Sequence, residues 1–265
     1  MSAPELIRTH SLVLHRPNGA GRGVGSRMQT GTFPTDILRA TLAVVDLDLL
    51  DAAQRDAQAD ILLHPAEQAR MAGFAHDRRR QSFTCGRIAA KAALVAHCPE
   101  INPREIEIGS GVFDQPILTT DQPGLQGLSI SISHSDQFAV AMVFHQAHPM
   151  GIDVDLPTAK DMPAVLAGLA PGVAGIIRRL GLDDIAGASL LWVARESLAK
   201  TLTTGMMTPL DVYAPASIEK DGVAYIVRYA NFGQYRSIIW PGKRGWLALT
   251  LPDQTLFDPA RLPWS

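Results

Sequence analysis

Two carboxylates stand two residues apart in the segment Gly151-Ile-Asp-Val-Asp155. Residues two apart on a β-strand share a face, so Asp153 and Asp155 are expected to lie side by side, opposite Ile152 and Val154. Carboxylates held close together away from water repel each other, and a hard divalent cation removes that repulsion. The segment therefore indicates either a cation site or a solvated edge strand that carries two surface acids.

A tryptophan, an acid and a base follow at helical spacing. Trp192, Glu196 and Lys200 are each four residues apart, which places them on one face of a helix predicted near 187–203. The rest of this helix is apolar, so the face is expected to be partly buried, and a buried glutamate needs a counter-charge from Lys200 or from a metal ion. The alternative is an exposed Glu–Lys pair that adds only about 0.2–0.5 kcal/mol.

Serine alternates with isoleucine in Ser129-Ile-Ser-Ile-Ser-His-Ser135, which is predicted to be a strand. Alternation places Ser129, Ser131 and Ser133 on one face. Hydroxyl groups and the imidazole of His134 at the end of such a strand suit phosphate binding, and a purely structural histidine is the alternative. A Ser–His nucleophile pair is not expected, because adjacent strand residues face opposite ways and no Gly-x-Ser-x-Gly motif is present.

Cationic residues are concentrated in a helix predicted over about 79–97. Arg80, Arg87 and Lys91 are spaced by seven and four residues and therefore share one helical face. Guanidinium groups bind phosphate through a planar fork of donors. The concentration is informative because the whole chain has a formal net charge of −2. The alternative is a charged surface that faces solvent.

The composition of the 265 residues is typical of a folded chain with a substantial core. Hydrophobic residues make up 46% and charged residues 19%, which argues against disorder, and the net charge argues against a nucleic-acid partner. The two cysteines lack the spacing of a metal site or a disulfide framework. The longest apolar run, Phe138–Phe144, is too short for a membrane span, and no signal peptide is visible. A cytoplasmic protein without a membrane partner is expected.

The order of the predicted elements indicates the fold class. A strand, a helical region and several strands occur in this order twice, and helices and strands segregated in this way favour an α+β fold over a doubly wound sheet. The chain is expected to comprise a flexible, arginine- and glycine-rich extension over 1–38, a first α+β half over 39–148 and a second α+β half over 149–265.

Four segments together resemble the 4'-phosphopantetheinyl transferase superfamily, in its longer Sfp-type branch. The resemblance depends on the order and spacing of the segments as well as on their residues, and it covers about 40–260. The matching segments are Arg80-x-x-Phe83-x-x-Gly86-Arg87, Ser131-Ile-Ser-His-Ser135, Gly151-Ile-Asp-Val-Asp155 and Trp192-x-x-Arg-Glu-Ser-x-x-Lys200, followed by Gly205.

The resemblance implies two similar α+β halves related by a pseudo-two-fold axis, with coenzyme A in the cleft between them. It implies Mg²⁺-dependent transfer of phosphopantetheine from coenzyme A to a serine of an acyl or peptidyl carrier protein, by a monomer. The implied metal ligands are Asp153, Asp155 and Glu196, and Glu196 and Lys200 are the implied catalytic residues. With charge and register added, the expected coenzyme A ligands are Arg70, Arg80, Arg87, Gln115, Pro116, Ser133, His134 and Lys200.

Three positions depart from the family pattern. Asp114-Gln115-Pro116 stands where the family usually has Gly-Lys-Pro, Asp155 stands where a glutamate is more common, and Arg195 replaces a lysine. Arginine stays protonated and cannot act as a base. Two other interpretations therefore stay open beside the transferase. One is a coenzyme A- or carrier-protein-binding relative that has lost turnover, and the other is a metal-dependent hydrolase of a phosphorylated small molecule.

Overall fold

The computed structural model describes residues 6–16, 35–120, 122–156, 171–262 and 264. Its elements fall into two groups along the chain. The first group consists of β1 (Ile7–Val13), β2 (Arg39–Asp46), α1 (Ala52–Leu62), α2 (Pro65–Ala72), α3 (Asp77–His97), β3 (Glu107–Ser110), β4 (Pro116–Thr119), β5 (Leu128–His134) and β6 (Phe138–His145). The second consists of β7 (Gly151–Asp155), α4 (Pro171–Arg179), α5 (Asp184–Leu202), β8 (Pro215–Asp221), β9 (Ala224–Tyr229), β10 (Tyr235–Trp240) and β11 (Trp246–Pro252).

Each group builds its own antiparallel sheet. The first sheet has the strand order β1-β2-β6-β5, and the second has the order β7-β11-β10-β9-β8. Strands β3 and β4 form a separate hairpin. The structure thus confirms the α+β class and shows two sheets that form two halves, and the expected boundary at 148/149 falls between β6 and β7.

The two sheets share one hydrophobic core. Alternate residues of β6, such as Val140 and Met142, belong to the same buried cluster as Ile152 and Val154 of β7. The opposite face of the first sheet packs against α3, and that of the second sheet against α5. The order of layers is therefore helix, sheet, sheet, helix, with period-2 alternation deciding which side chains enter the shared core.

The two halves repeat one connection order. In the first half, β2 leads to α3, β5 and β6, and β6 lies between β2 and β5 in the sheet. In the second half, β7 leads to α5, β10 and β11, and β11 lies between β7 and β10. This repeat agrees with two similar halves, and the pseudo-two-fold axis itself stays a prediction.

The expectation of a loose extension over 1–38 is wrong for β1. Ile7–Val13 pairs antiparallel along the length of β2, and Leu12 and Leu14 are buried in the shared core. The pairing covers an edge of β2 that would otherwise expose unpaired backbone groups. The glycine cluster of the predicted extension lies outside the described residues.

A glycine brings helix α5 close to strand β7. A Cβ atom on Gly151 would lie 2.2 Å from the carbonyl oxygen of Ser197 and 2.7 Å from the backbone nitrogen of Thr201. Only a residue without a side chain permits this approach. The contact places the acids of β7 beneath Glu196 and Lys200 of α5.

No helix in the described parts of the chain combines the length and the apolar character that crossing a membrane requires.

Candidate functional site

Asp153 is the buried centre of the site. Its side chain lies on β7, and its Oδ1 accepts hydrogen bonds from the Ser133 hydroxyl at 2.6 Å and from the Lys200 ammonium group at 2.6 Å. Its Oδ2 is buried and has no hydrogen-bond partner among the residues that the structure describes. A buried carboxylate oxygen without a partner is unfavourable, so this atom indicates a place for a cation or a donor.

Serine hydroxyls of β5 join the edges of the two sheets at this point. The backbone N–H of Ile152 donates to Ser131 Oγ at 3.0 Å, and the backbone N–H of Val154 donates to Ser133 Oγ at 3.3 Å. Ser133 therefore connects β5 with both the backbone of β7 and the Asp153 carboxylate. The coenzyme A contact expected for Ser133 stays a prediction.

Glu196 is the acid whose charge is most unfavourable. Burial raises the pKa of Glu196 to about 7, repulsion from Asp153 and Asp155 acts in the same direction, and Lys200 opposes it. The three predicted acids are thus close enough to interact electrostatically. A second cation beside them would relieve the repulsion.

The three acids nevertheless do not form a complete metal cage. Within the residues that the structure describes, no three His, Cys, Asp or Glu side chains are arranged to hold a metal ion. Asp155 Oδ1 instead accepts the backbone N–H of Leu156 at 2.8 Å. Mg²⁺ commonly takes only one or two protein carboxylates and completes its shell with water and phosphate. The partnerless Oδ2 of Asp153 and the raised pKa of Glu196 fit such a sparse site.

A cleft of about 470 Å³ opens beside Glu196 and Lys200. The first half contributes β5 and the loop between β3 and β4, and the second half contributes α5 and the loop that follows it. Gly205 in this last loop has φ +58°. A Cβ atom on Gly205 would lie 4.0 Å from Phe113, which belongs to the first half. Both halves therefore line the cleft.

A second cavity of about 190 Å³ adjoins the cleft. Asp114, Pro116 and Ile132 line both. The distinctive residues of this basic cavity are Arg70, Arg79, Arg87 and His134, with Ser82 and Ser110 beside them.

Aromatic rings hold the three guanidinium groups of the basic cavity. The guanidinium carbons of Arg70 and Arg87 lie 5.3 Å and 4.8 Å from the centre of the Phe83 ring, and that of Arg79 lies 5.9 Å from the Phe74 ring. The two rings pack together at 5.2 Å. Cation–π contact offsets part of the repulsion between like charges and leaves hydrogen-bond donors for an anion.

His134 lies at the end of β5, at the wall of the basic cavity. Desolvation by the surrounding protein lowers the pKa of His134, and the Lys200 ammonium group lowers it further, while Asp153 opposes them. These shifts favour the neutral imidazole, which has one N–H to donate. His134 connects the basic cavity electrostatically with the Asp153–Lys200 pair.

The predicted contact of Arg80 with coenzyme A stays a prediction. Arg80 pairs with Asp77 in its own helix and lines neither cavity. Arg79, which the sequence analysis did not select, lines the basic cavity, because α3 presents Arg79, Ser82, Phe83 and Gly86 to it. Their helical spacing is the signal in the sequence that favours Arg79.

The predicted basic face of α3 is largely interior. Lys91 is fully buried and forms an ion pair with Glu67 at 3.1 Å, and Arg87 faces the same glutamate at 3.4 Å. Lys91 Nζ also donates to the carbonyl oxygens of Pro103, at 2.8 Å, and Ile106. Of the two, only Arg87 lines the basic cavity. The helical face of Arg87 and Lys91 is therefore not a solvated surface, and only its Arg87 position is available for a phosphate group.

The loop that departs from the family pattern is closed on itself. Gln115 Oε1 accepts the backbone N–H of Phe113 at 2.9 Å, and the Gln115 side chain packs where a Cβ on Gly111 would lie. Asp114 takes a left-handed conformation with φ 58°. Gln115 and Pro116 line the cleft, and the Gln115 oxygen already accepts a hydrogen bond within the loop.

Arg195 is absent from the walls of both cavities. It is 1% exposed, and burial lowers its pKa while the nearby Tyr229 opposes that shift. Arg195 is therefore a buried residue of the second half, and nothing places it among the reacting groups.

Comparisons with known proteins give structural matches alone. No family model matches the sequence, and no curated relative is found. A holo-(acyl-carrier-protein) synthase from Bacillus anthracis str. Ames, in complex with CoA (3',5'-ADP), matches with 28% identity over 38% of this chain and 90% of that chain, at a TM-score of 0.34. Helicobacter pylori holo-[acyl-carrier-protein] synthase, in complex with coenzyme A, matches with 22% identity over 38% and 95%, at 0.31.

The chain is thus structurally similar, over 38% of its length, to these two holo-acyl-carrier-protein synthases.

Proposed function

We propose that the protein transfers the 4'-phosphopantetheine group from coenzyme A to a serine of an acyl or peptidyl carrier protein. One observation carries the proposal: the basic cavity with three arginines and His134 adjoins a cleft in which Glu196 and Lys200 lie against Asp153. The four segments that resemble the transferase superfamily supply most of these residues.

The basic cavity suits the 3'-phosphate of coenzyme A. Arg70, Arg79 and Arg87 present planar forks of donors, which bind phosphate oxygens in pairs. Ser82 and Ser110 add hydroxyl groups at the same wall. The pyrophosphate would then reach past His134 towards Lys200.

The adjoining cleft suits the transfer itself. The carrier serine Oγ attacks the β-phosphorus of coenzyme A, a new P–O bond forms, and the bond to the departing adenosine 3',5'-bisphosphate breaks. Glu196 takes the proton of the serine as the general base. Lys200 offsets the negative charge that gathers on the phosphates. The nucleophile belongs to the partner, so the chain needs none of its own.

Asp153 and Glu196, with Asp155 beside them, are the residues that would hold Mg²⁺. When bound, the ion would neutralise pyrophosphate charge and orient the leaving group. Asp153 supplies Oδ2, which has no other partner in the described part of the chain. Glu196 supplies a carboxylate whose ionised form is disfavoured by burial and by its acidic neighbours.

The proposal is tested by intact mass spectrometry of a panel of apo carrier proteins incubated with the protein, coenzyme A and Mg²⁺. At least one carrier is expected to gain the mass of one phosphopantetheine group. The same carrier with its modified serine changed to alanine is the control and is expected to gain nothing. No gain on any carrier would contradict the transferase.

A second candidate, a coenzyme A-binding relative without turnover, is favoured by the loop at 111–116. The carboxylate of Asp114 borders both cavities, and Gln115 is occupied within the loop, so two contacts with phosphate are weakened at this point. Tight binding of coenzyme A without any mass gain on the panel would support this candidate.

A further inference from the structure

Glu67 is a buried acid beneath the basic cavity and is absent from its wall. It is 3% exposed and lies in α2, three residues before Arg70. None of the residues proposed for catalysis contacts it. Its hydrogen bonds and ion pairs nevertheless connect α2 with β3 and α3, and all three elements contribute residues to the wall of the basic cavity.

The two carboxylate oxygens of Glu67 bring three elements together. Oε2 accepts the backbone N–H of His64 at 2.9 Å, as part of the capping box that begins α2. Oε1 accepts the backbone N–H of Ile108 in β3 at 3.0 Å. The same carboxylate faces Arg87 and Lys91 of α3 at 3.4 Å and 3.1 Å. These elements carry Arg70, Ser110 and Arg87, which all line the basic cavity.

The Arg87 side chain lies between the Phe83 ring and the Glu67 carboxylate. The Arg87 side chain is 9% exposed, with one side against the Phe83 ring and its Nε facing Glu67. Burial lowers the pKa of Arg87, Glu67 opposes that shift, and Arg70 adds to it. Without the negative charge of Glu67, Arg87 and Lys91 would be two buried cations that repel each other.

We propose that Glu67 is a positioning residue that fixes the Arg87 guanidinium for the 3'-phosphate of coenzyme A. Glu67 thereby sets the preference for coenzyme A over dephospho-coenzyme A without touching either ligand. This inference rests on the proposed function, because it takes coenzyme A as the occupant of the basic cavity. The local charge agrees with it, since one buried acid faces two buried cations while Arg70 and Arg79 add further positive charge.

The experiment measures the dissociation constants of coenzyme A and dephospho-coenzyme A by calorimetry, using the full chain. The variants are Glu67→Gln, Arg87→Ala, the two combined, and Lys91→Met. In Glu67→Gln, the preference for coenzyme A is expected to fall about tenfold, the loss of one charge-assisted contact, while dephospho-coenzyme A binds as before. On the Arg87→Ala background, Glu67→Gln is expected to have no further effect on the preference, since Glu67 acts through Arg87.

Lys91→Met is the matched control, because it removes another partner of Glu67 that does not line the basic cavity. It is expected to lower the melting temperature and to keep the preference for coenzyme A. Should Glu67→Gln fail to fold, Glu67→Asp, which withdraws the charge by one methylene, takes its place with the same readout.

An unchanged preference in the Glu67 variant, or an equal weakening of both ligands, would overturn the positioning role. A wild-type protein that binds neither ligand would instead overturn the proposed function. The two failures are therefore distinguished by the wild-type titration alone.

Discussion

At the residue scale, Glu196 bears a charge that the fold disfavours. Its pKa rises from an ordinary value of 4.5 to about 7, so the folded protein binds this proton more tightly than the unfolded chain does. The unfolded chain releases the proton near pH 4.5, and the folded protein holds it until about pH 7. Stability that is present below pH 4.5 is therefore lost as pH rises through this window. Active sites commonly store instability of this kind.

Replacing Glu196 by glutamine removes the charge and keeps the shape. We expect Glu196→Gln to be more stable than the wild type at pH 8 by about 2 kcal/mol, and equally stable near pH 4.5. Urea denaturation at the two pH values measures the difference. A wild type that is at least as stable as the variant at pH 8 would show that Glu196 is not desolvated as described.

The sequence predicts which acids and bases belong to the site, but not how they pair. Alternation on β7 selects Asp153 as a candidate site residue, and helical spacing on α5 selects Glu196 and Lys200. The hydrogen bonds of Asp153 to Ser133 and Lys200 depend on how β5, β7 and α5 meet, and residues 20 and 47 positions apart make them. No local pattern carries that information.

At the scale of elements, the contact between α5 and β7 positions the site. Gly151 permits it, because a side chain would meet the Thr201 hydroxyl and backbone atoms of Ser197 and Thr201, and the backbone atoms cannot move alone. The sequence predicts the strand and the helix separately. The closeness of their approach is a tertiary feature. The pairing of β1 with β2 is another, and the polar sequence of β1, close to a glycine cluster, did not predict a strand there.

Changing Gly151 to alanine should force α5 away from β7. We expect a loss of about 1–3 kcal/mol in the free energy of unfolding, and a transfer rate reduced beyond what the unfolded fraction explains, because Glu196 and Lys200 shift relative to Asp153. Denaturation and rate measurements on one preparation test both. The control is Gly233→Ala, where a Cβ meets nothing within 4 Å and the change is expected to stay within about 0.5 kcal/mol. Equal behaviour of the two variants would contradict this account of the contact.

At the scale of the whole molecule, a charged contact adds to the shared core in holding the halves together. Arg244, between β10 and β11, donates to both oxygens of Asp46, at 2.8 Å and 2.7 Å, and also to Asp48. Its guanidinium group lies 4.7 Å from the centre of the Phe138 ring. Hydrogen bonding from Arg244 lowers the pKa of Asp46, and burial opposes that shift.

Replacing Asp46 by asparagine tests this contact between the halves. The folded pKa of Asp46 lies below its ordinary value of 3.8, so its contribution is present above pH 3.8 and is lost in more acidic solution. We expect Asp46→Asn to lose about 1 kcal/mol at pH 7, since Arg244 is more than a third exposed and solvent screens the pair, and to match the wild type in strong acid. Thermal denaturation across pH measures this. Asp56→Asn, in an exposed pair with Arg55, should change little, and an equally small effect at Asp46 would rule out the contact.

The central claim is that a cation held at Asp153 and Glu196 serves the transfer of phosphopantetheine to a carrier serine. The most direct measurement is the mass of an apo carrier protein after incubation with coenzyme A and either the wild type or Asp153→Asn, with Mg²⁺ or with a chelator. We expect the mass gain with wild type and Mg²⁺ only, while Asp136→Asn, an exposed aspartate changed in the same way, stays active. A folded Asp153→Asn variant that modifies the carrier at the wild-type rate, or full activity in chelator, would contradict the account.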